Sequence, residues 1–217
     1  MHWLPEAAST YAADIDRIFY VILVVTGVVL VGVEAAIIYL VFRYRARDGR
    51  KGHYIEGSNK AEVIWTVTPA VFIVGLAIAT HTVWPIIKDP NRFPTDALEV
   101  AVHAKQFEWN VSYPGADGEL GTDDDFTTRN QLSIPANRPV IVNLTSEDVI
   151  HSFFIPAFRI KQDAIPGKSI RLWFEAIHPG EFDLACAELC GLGHYRMKGR
   201  VVVYSQEDYR TWVSEKS

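Results

Sequence analysis

Two stretches of the chain are apolar almost without interruption, and the remainder alternates. Residues 18–42 form the first stretch, broken only by Glu34. Residues 61–87 form the second, with Glu62 near its start and Pro69 and Pro85 inside. About 20 apolar residues suffice to cross a bilayer as a helix, so each predicts a transmembrane helix. The first is too long, and too weakly basic in front, for a cleaved signal peptide, since Asp14, Asp16 and Arg17 precede it. Between them, residues 43–60 carry Arg43, Arg45, Arg47, Arg50, Lys51 and Lys60 against Asp48 and Glu56. Such a basic short loop faces the cytoplasm. Both chain ends, residues 1–17 and everything beyond 87, then lie on the outer side. Tyr20, Trp65 and Trp84 sit near the ends of the runs, where interfacial aromatics are expected.

From residue 97 the period changes. After a linker at 88–96 with Pro90 and Pro94, short alternating segments follow at 98–104, 139–144, 169–175, 180–186 and 199–204. Proline, glycine and asparagine separate them, the pattern of an all-β sandwich or barrel over 97–205. Ser205 followed by Glu207 and Asp208 caps a short C-terminal helix in 206–217.

Composition sharpens this division. Hydrophobic residues make up 49% of the 217, and the formal net charge is −5. Residues 1–96 carry nine acidic and nine basic side chains, and residues 97–217 seventeen and twelve, so the excess belongs to the outer domain. An acidic outer domain argues against a nucleic-acid partner and for a basic protein, though an excess of five is modest and decides little alone. Two groups of acids need weighing. Glu34 lies mid-span, where a charge is costly, so it faces a protein partner or is protonated. Glu62, one turn inside the cytoplasmic end, either serves the helix N-terminus or opens a proton path into a larger helical partner. At 116–125, Asp117, Glu119, Asp123, Asp124 and Asp125 crowd around two glycines. They form a solvated hairpin tip or hold calcium, without EF-hand spacing.

The chemistry gathers in CAELCGLGHYRM at 186–197. It holds the only two cysteines, Cys186 and Cys190, with His194 and Met197, the sole methionine besides Met1. A short-loop disulfide is one reading of the cysteines. Thiolate, imidazole and thioether together favour copper. Zinc would accept two Cys and two His, but not the thioether of Met197. Of the other histidines, His2, His53, His81, His103 and His178 are poorly placed. His151 begins a strand and is the distant donor such a site needs. Two thiols on one turn can bridge two metal ions, and a shared electron would then keep reorganisation small.

Four stretches now resemble subunit II of the haem–copper cytochrome oxidases: EVIWTVTP at 62–69, QFEW at 106–109, SEDVIHSFFIP at 146–156 with KQDAIPG at 161–167, and the loop at 186–197. The resemblance runs from about residue 15 to the terminal helix. It implies a cupredoxin-like Greek-key sandwich behind a two-helix transmembrane hairpin. It implies a dinuclear copper centre, CuA, in which Cys186 and Cys190 bridge both coppers. His151 and Met197 complete one copper; His194 and the Glu188 backbone carbonyl complete the other. The Glu188 side chain would reach a magnesium ion at the interface with a haem-bearing catalytic subunit I. Glu62 would mark a proton pathway entrance. Glu147, Asp148 and Asp163 would face a docked cytochrome c, with Phe107 and Trp109 as the electron entry. At Phe107 the family usually has tryptophan, which puts the entry point or the donor in question.

The role implied is electron entry to a terminal oxidase coupled to oxygen reduction and proton pumping, in a bacterial inner membrane. A nitric oxide reductase subunit and a membrane-anchored copper-delivery protein are the alternatives. A quinol oxidase subunit would lack the copper ligands. No C-x-x-C-H motif is present, so no cytochrome c domain is fused.

Overall fold

The computed structural model describes residues 3–49, 51–52, 54, 56–115 and 117–216. Met1, His2, Arg50 and His53, named above, lie outside the described residues, as does position 116 of the acidic stretch. Two units make up the chain: residues 16–83, and residues 1–15 together with 84–217.

In the first unit the apolar runs are helical. Helix α1 spans Ala12–Arg43 and α2 spans Asn59–Lys88. At 1.5 Å per residue, each exceeds the roughly 30 Å of a bilayer core. Their apolar side chains are exposed, Val28 and Val31 at 68% and Ile64 and Ile78 at 65%. Water does not tolerate so much contiguous apolar surface, so lipid or other helices must cover it. This is a membrane protein with two spans. Pro69 lies within α2 without ending it.

The second unit is a β-sandwich. Its strands are β1 Leu98–Lys105, β2 Glu108–Tyr113, β3 Phe126–Arg129, β4 Gln131–Pro135, β5 Pro139–Ser146, β6 His151–Ile155, β7 Ile160–Ala164, β8 Ile170–Glu175, β9 Gly180–Cys186 and β10 Lys198–Tyr204. One sheet runs β3-β2-β1-β5-β8 and the other β4-β10-β9-β6-β7. β1 pairs parallel with β5, and β4 with β10; the remaining pairs are antiparallel. Alternation decides which side chains point in. Val100, Val102 and Ala104 on β1 are fully buried, as are Trp109, Val111 and Tyr113 on β2.

The chain changes sheets at Asn130, in the left-handed region at φ 56°. Its side-chain oxygen accepts the Trp109 amide at 2.8 Å, and its own amide donates to the Trp109 carbonyl at 2.7 Å. Asparagine tolerates this conformation because its side chain bonds locally. Helix α3, Gln206–Ser214, starts at Ser205, whose hydroxyl accepts the Asp208 amide at 3.1 Å. Trp212 on α3 closes one end of the sandwich against Tyr113 and Phe126.

The residues before α1 belong to the sandwich. Ser9 bridges Ala176, Thr10 donates to the Glu175 carbonyl at 3.1 Å, and the Tyr11 hydroxyl donates to the Trp173 carbonyl at 3.1 Å. At the far end of α2, the Trp173 indole donates to the Ile86 carbonyl at 2.9 Å. The polypeptide thus leaves this unit through α1 and returns to it through α2.

Candidate metal centre

Three segments of the sandwich converge at one end. β6 begins with His151, β9 ends with Cys186, and β6 and β9 pair with Phe153 opposite Cys186. After β9 the chain turns through 187–197 before entering β10. The Met197 carbonyl accepts the Cys186 amide at 3.1 Å, and the Ser152 carbonyl accepts the Ala187 amide at 3.0 Å. A one-turn 3-10 helix over His194–Arg196 returns the loop, so both of its ends are pinned to the sheet.

The loop brings the donors together. Cys186 Sγ and Cys190 Sγ lie 3.8 Å apart, as free thiols rather than a disulfide. His151 Nδ1 is 4.0 Å from Cys186 Sγ, and His194 Nδ1 is 3.6 Å from Cys190 Sγ. Met197 Sδ is 3.7 Å from Cys190 Sγ. The Glu188 carbonyl oxygen is 3.3 Å from Cys186 Sγ. His151, Cys186 and Cys190 alone place their donor atoms within 4.8 Å of one another. Two thiol sulfurs with four further donors around them, one a thioether, fit copper. Zinc has no use for Met197, buried here to 2% exposure.

Burial sets the chemistry of the thiols. Burial and the adjacent Cys186 push the Cys190 thiol up to about 11. Without metal that sulfur keeps its proton at neutral pH, and a metal ion must displace it.

Around the donors, Asp148 Oδ1 accepts from His151 Nε2 at 2.8 Å. In the neutral imidazole this leaves the lone pair on Nδ1, the nitrogen nearest Cys186. Asp148 Oδ2 accepts the Gln106 amide at 2.7 Å, and the Gln106 side chain donates to the Cys190 carbonyl at 2.6 Å. Burial works to raise the Asp148 carboxyl, but the hydrogen bonds from His151, Gln106 and Val149 outweigh it and hold it below the usual range. Asp163 is engaged by Lys161 and by the Ser152 hydroxyl, at 2.8 and 2.7 Å, and both hold its carboxyl low. Glu147 is exposed.

The two aromatic positions grouped above differ. Phe107 is half-buried and lies against the metal loop, where a Cβ on Gly193 would collide with its ring. Trp109 is completely buried, edge-on to His151 at 6.2 Å between centroids and to Phe153 at 5.7 Å. It walls the metal site from within and does not reach the surface. The alternation of Trp109, Val111 and Tyr113 on one face of β2 was the signal that could have placed it inside.

The other singled-out groups belong to other segments. Glu62 is in the first turn of α2 and exposed, and Glu34 is mid-α1. The acids of 117–125 occupy the connection between β2 and β3. There Asp124 Oδ2 accepts the Asp117 amide, Asp125 Oδ2 accepts the Gly121 amide at 2.7 Å, and Thr122 donates to Asp124 at 2.7 Å. These carboxylates tie the tip to itself. The contact sequence reasoning missed is Asp148 to His151, although the i to i+3 spacing was visible.

Comparison with known proteins identifies the family. The family described as cytochrome c oxidase subunit II, periplasmic domain, matches residues 101–205, and that family's transmembrane domain matches residues 1–83. The alternative cytochrome c oxidase subunit 2 of Bradyrhizobium diazoefficiens is 32% identical, over 98% of this chain and 83% of that protein. The cytochrome c oxidase subunit 2 of Cereibacter sphaeroides is 30% identical, over 96% of this chain and 78% of that protein. Among solved structures, the periplasmic domain of subunit II of cytochrome oxidase from Bradyrhizobium japonicum superposes with a TM-score of 0.50 at 32% identity. It covers 57% of this chain and 95% of that one. Two long apolar spans, a β-sandwich, a Cys–Cys–His–Met loop closed by a strand-end histidine and relatives matched along nearly the whole length lead to one conclusion: the chain belongs to the cytochrome c oxidase subunit II family.

Proposed function

We propose that this chain is the electron-entry subunit of a haem–copper terminal oxidase. It takes electrons from an outer-face donor of the cytochrome c type at a dinuclear copper centre. It hands them to haem in a catalytic subunit, where oxygen is reduced. The observation that carries this reading is the convergence of His151, Cys186, the Glu188 carbonyl, Cys190, His194 and Met197 around one pair of sulfurs.

Cys186, Cys190, His151, Met197, His194 and the Glu188 carbonyl would hold two copper ions between them. Bound there, the ions would supply a one-electron store. The chain's own residues supply the rest. β6 and β9 hold the donors in place before metal arrives. Trp109 and Phe153 exclude water from behind. Phe107, half-buried against the loop, would pass the electron from an outer donor to the centre. Glu147, exposed beside the site, suits the basic face of such a donor. The Glu188 side chain, exposed here, would hold magnesium at the interface with a catalytic subunit.

The same reading orients the chain. Residues before α1 and after α2 belong to one unit, so both ends of the helix pair lie on one side. The basic loop at 43–60 is then cytoplasmic and the sandwich periplasmic, in a bacterial inner membrane. Glu62, at the cytoplasmic end of α2, serves as a proton entrance to the partner.

The test is Cys190→Ser in the assembled oxidase. Turnover with reduced cytochrome c should be lost, while small reductants that bypass the centre still drive oxygen consumption. Undiminished turnover with cytochrome c would refute the reading.

A further inference from the structure

Strand β1 ends beside the metal loop and begins, at Leu98, beside a cavity of about 580 Å³. One wall of the cavity is a face of α3, formed by Gln206, Tyr209, Arg210 and Val213 at helical spacing. Leu98 and Glu99 of β1 and Arg138 of the β4–β5 connection also line it. These parts are fastened to one another. The Gln206 side chain donates to the Ala136 carbonyl at 2.7 Å. Asn137, in the left-handed region at φ 53°, donates its amide to the Ala176 carbonyl at 2.8 Å. Arg138 thus follows a fixed turn that is tied to the helix.

The polar groups of the cavity are unevenly committed. Glu99 is the only acid among the described residues that line it. Its Oε1 accepts from Arg171 at 2.7 Å and its Oε2 from Asn143 at 3.2 Å, so both oxygens are taken by neighbouring strands. Arg138 and Arg210 have no carboxylate partner among the described residues. Tyr209 is 6% exposed, yet its hydroxyl has no hydrogen-bond partner among them. Burial pushes this phenol up and the charge of Arg138 pulls it down, so the two groups are neighbours. A buried hydroxyl left unbonded is costly.

The outer domain is acidic, with seventeen acids against twelve bases, so two unanswered arginines on one cavity wall reverse the local charge. Guanidinium groups and a hydroxyl donor suit an oxyanion. Two positive charges match a phosphate group, which carries about −1.5 to −2 at neutral pH. Leu98 and Val213 add apolar wall, and the volume falls within the roughly 300–1,000 Å³ of small-molecule sites.

We propose that Arg138, Tyr209 and Arg210 form a binding site for a phosphate group, either free or carried on a small organic molecule, at the end of β1 away from the metal loop.

The experiment titrates inorganic phosphate and glycerol 3-phosphate into the purified oxidase complex by calorimetry, at an ionic strength held constant with sodium chloride. The parent is compared with Arg138→Gln, Arg210→Gln and Tyr209→Phe. One site per chain is expected. Each arginine variant should bind about 10–100-fold more weakly and Tyr209→Phe about 2–10-fold more weakly. Tighter binding of glycerol 3-phosphate assigns the site to an organic phosphate; equal or weaker binding assigns it to the free ion. The proposal is overturned if neither probe binds the parent. It is also overturned if the arginine variants bind both probes as the parent does, because phosphate is then held elsewhere in the complex. Should Arg138→Gln not assemble, Arg210→Gln, whose side chain is exposed on α3, decides by the same criterion.

Discussion

Two glycines and one phenylalanine show how closely single residues determine this site. Gly193 has an ordinary backbone conformation, at φ −91°, so only space requires glycine there. A Cβ would meet the Phe107 ring. Gly193→Ala should lower the stability of the outer domain by about 1–3 kcal/mol, the usual cost of overpacking. It should also slow electron entry from cytochrome c while copper content stays at the parent level; stopped-flow reduction with metal analysis reads both. Gly191 adds a second constraint, since its φ of 125° strains any other residue. Trp109 behaves differently. Its buried indole N–H has no hydrogen-bond partner among the described residues, so Trp109→Phe forfeits packing rather than a polar contact. The expected result is a changed copper spectrum through His151, with donor docking unaffected. An unchanged spectrum with weakened donor binding would show that Trp109 acts in donor binding and not through His151.

At the scale of elements, β6 and β7 are tied near the site by Asp163, which accepts from Ser152 on one strand and Lys161 on its own. Both bonds hold its carboxyl below the unfolded value of about 3.9. Its contribution to stability is therefore complete above that value and is lost as pH falls through the folded pKa. The gap in unfolding midpoint between the parent and Asp163→Asn should be present at pH 7 and close in acid below about pH 4; a gap that persists there contradicts the assignment. Helix α3 gives a simpler case. Ser205→Ala removes an N-cap and should cost about 0.5–2 kcal/mol in denaturant unfolding. The cap was legible in the sequence because capping is local: a serine followed by acids is enough. The period of β2 is legible too, yet grouping Trp109 with Phe107 as an electron entry sets that period aside. The Asp148 contacts were not legible, because Gln106 comes from a turn 42 residues away, and only the folded sheets bring that turn to the β5–β6 connection.

For the whole molecule, the helices could be recognised from composition alone, because a bilayer demands length and apolarity of each span separately. The metal loop could be recognised because four donors fall within twelve residues. The N-terminal segment could not. Residues 5–11 have no period, and they are held by backbone bonds and by Arg159 donating to the Pro5 carbonyl at 2.6 Å. That attachment nevertheless bears on topology. With both helix ends leading into one unit, a cysteine introduced at Ser58 should react with a membrane-impermeant reagent only from the cytoplasmic face of sealed vesicles, and one at Asn91 only from the other. Labelling of both from the same face would overturn the orientation.

The central claim, that one pair of thiols holds two coppers as a single redox unit, is tested most directly by EPR on the purified, fully metallated complex with copper counted per chain. The account predicts two coppers in this chain and a hyperfine pattern of one unpaired electron spread over two copper nuclei, both lost in Cys190→Ser. One copper per correctly folded chain, with a pattern from a single nucleus, would contradict it.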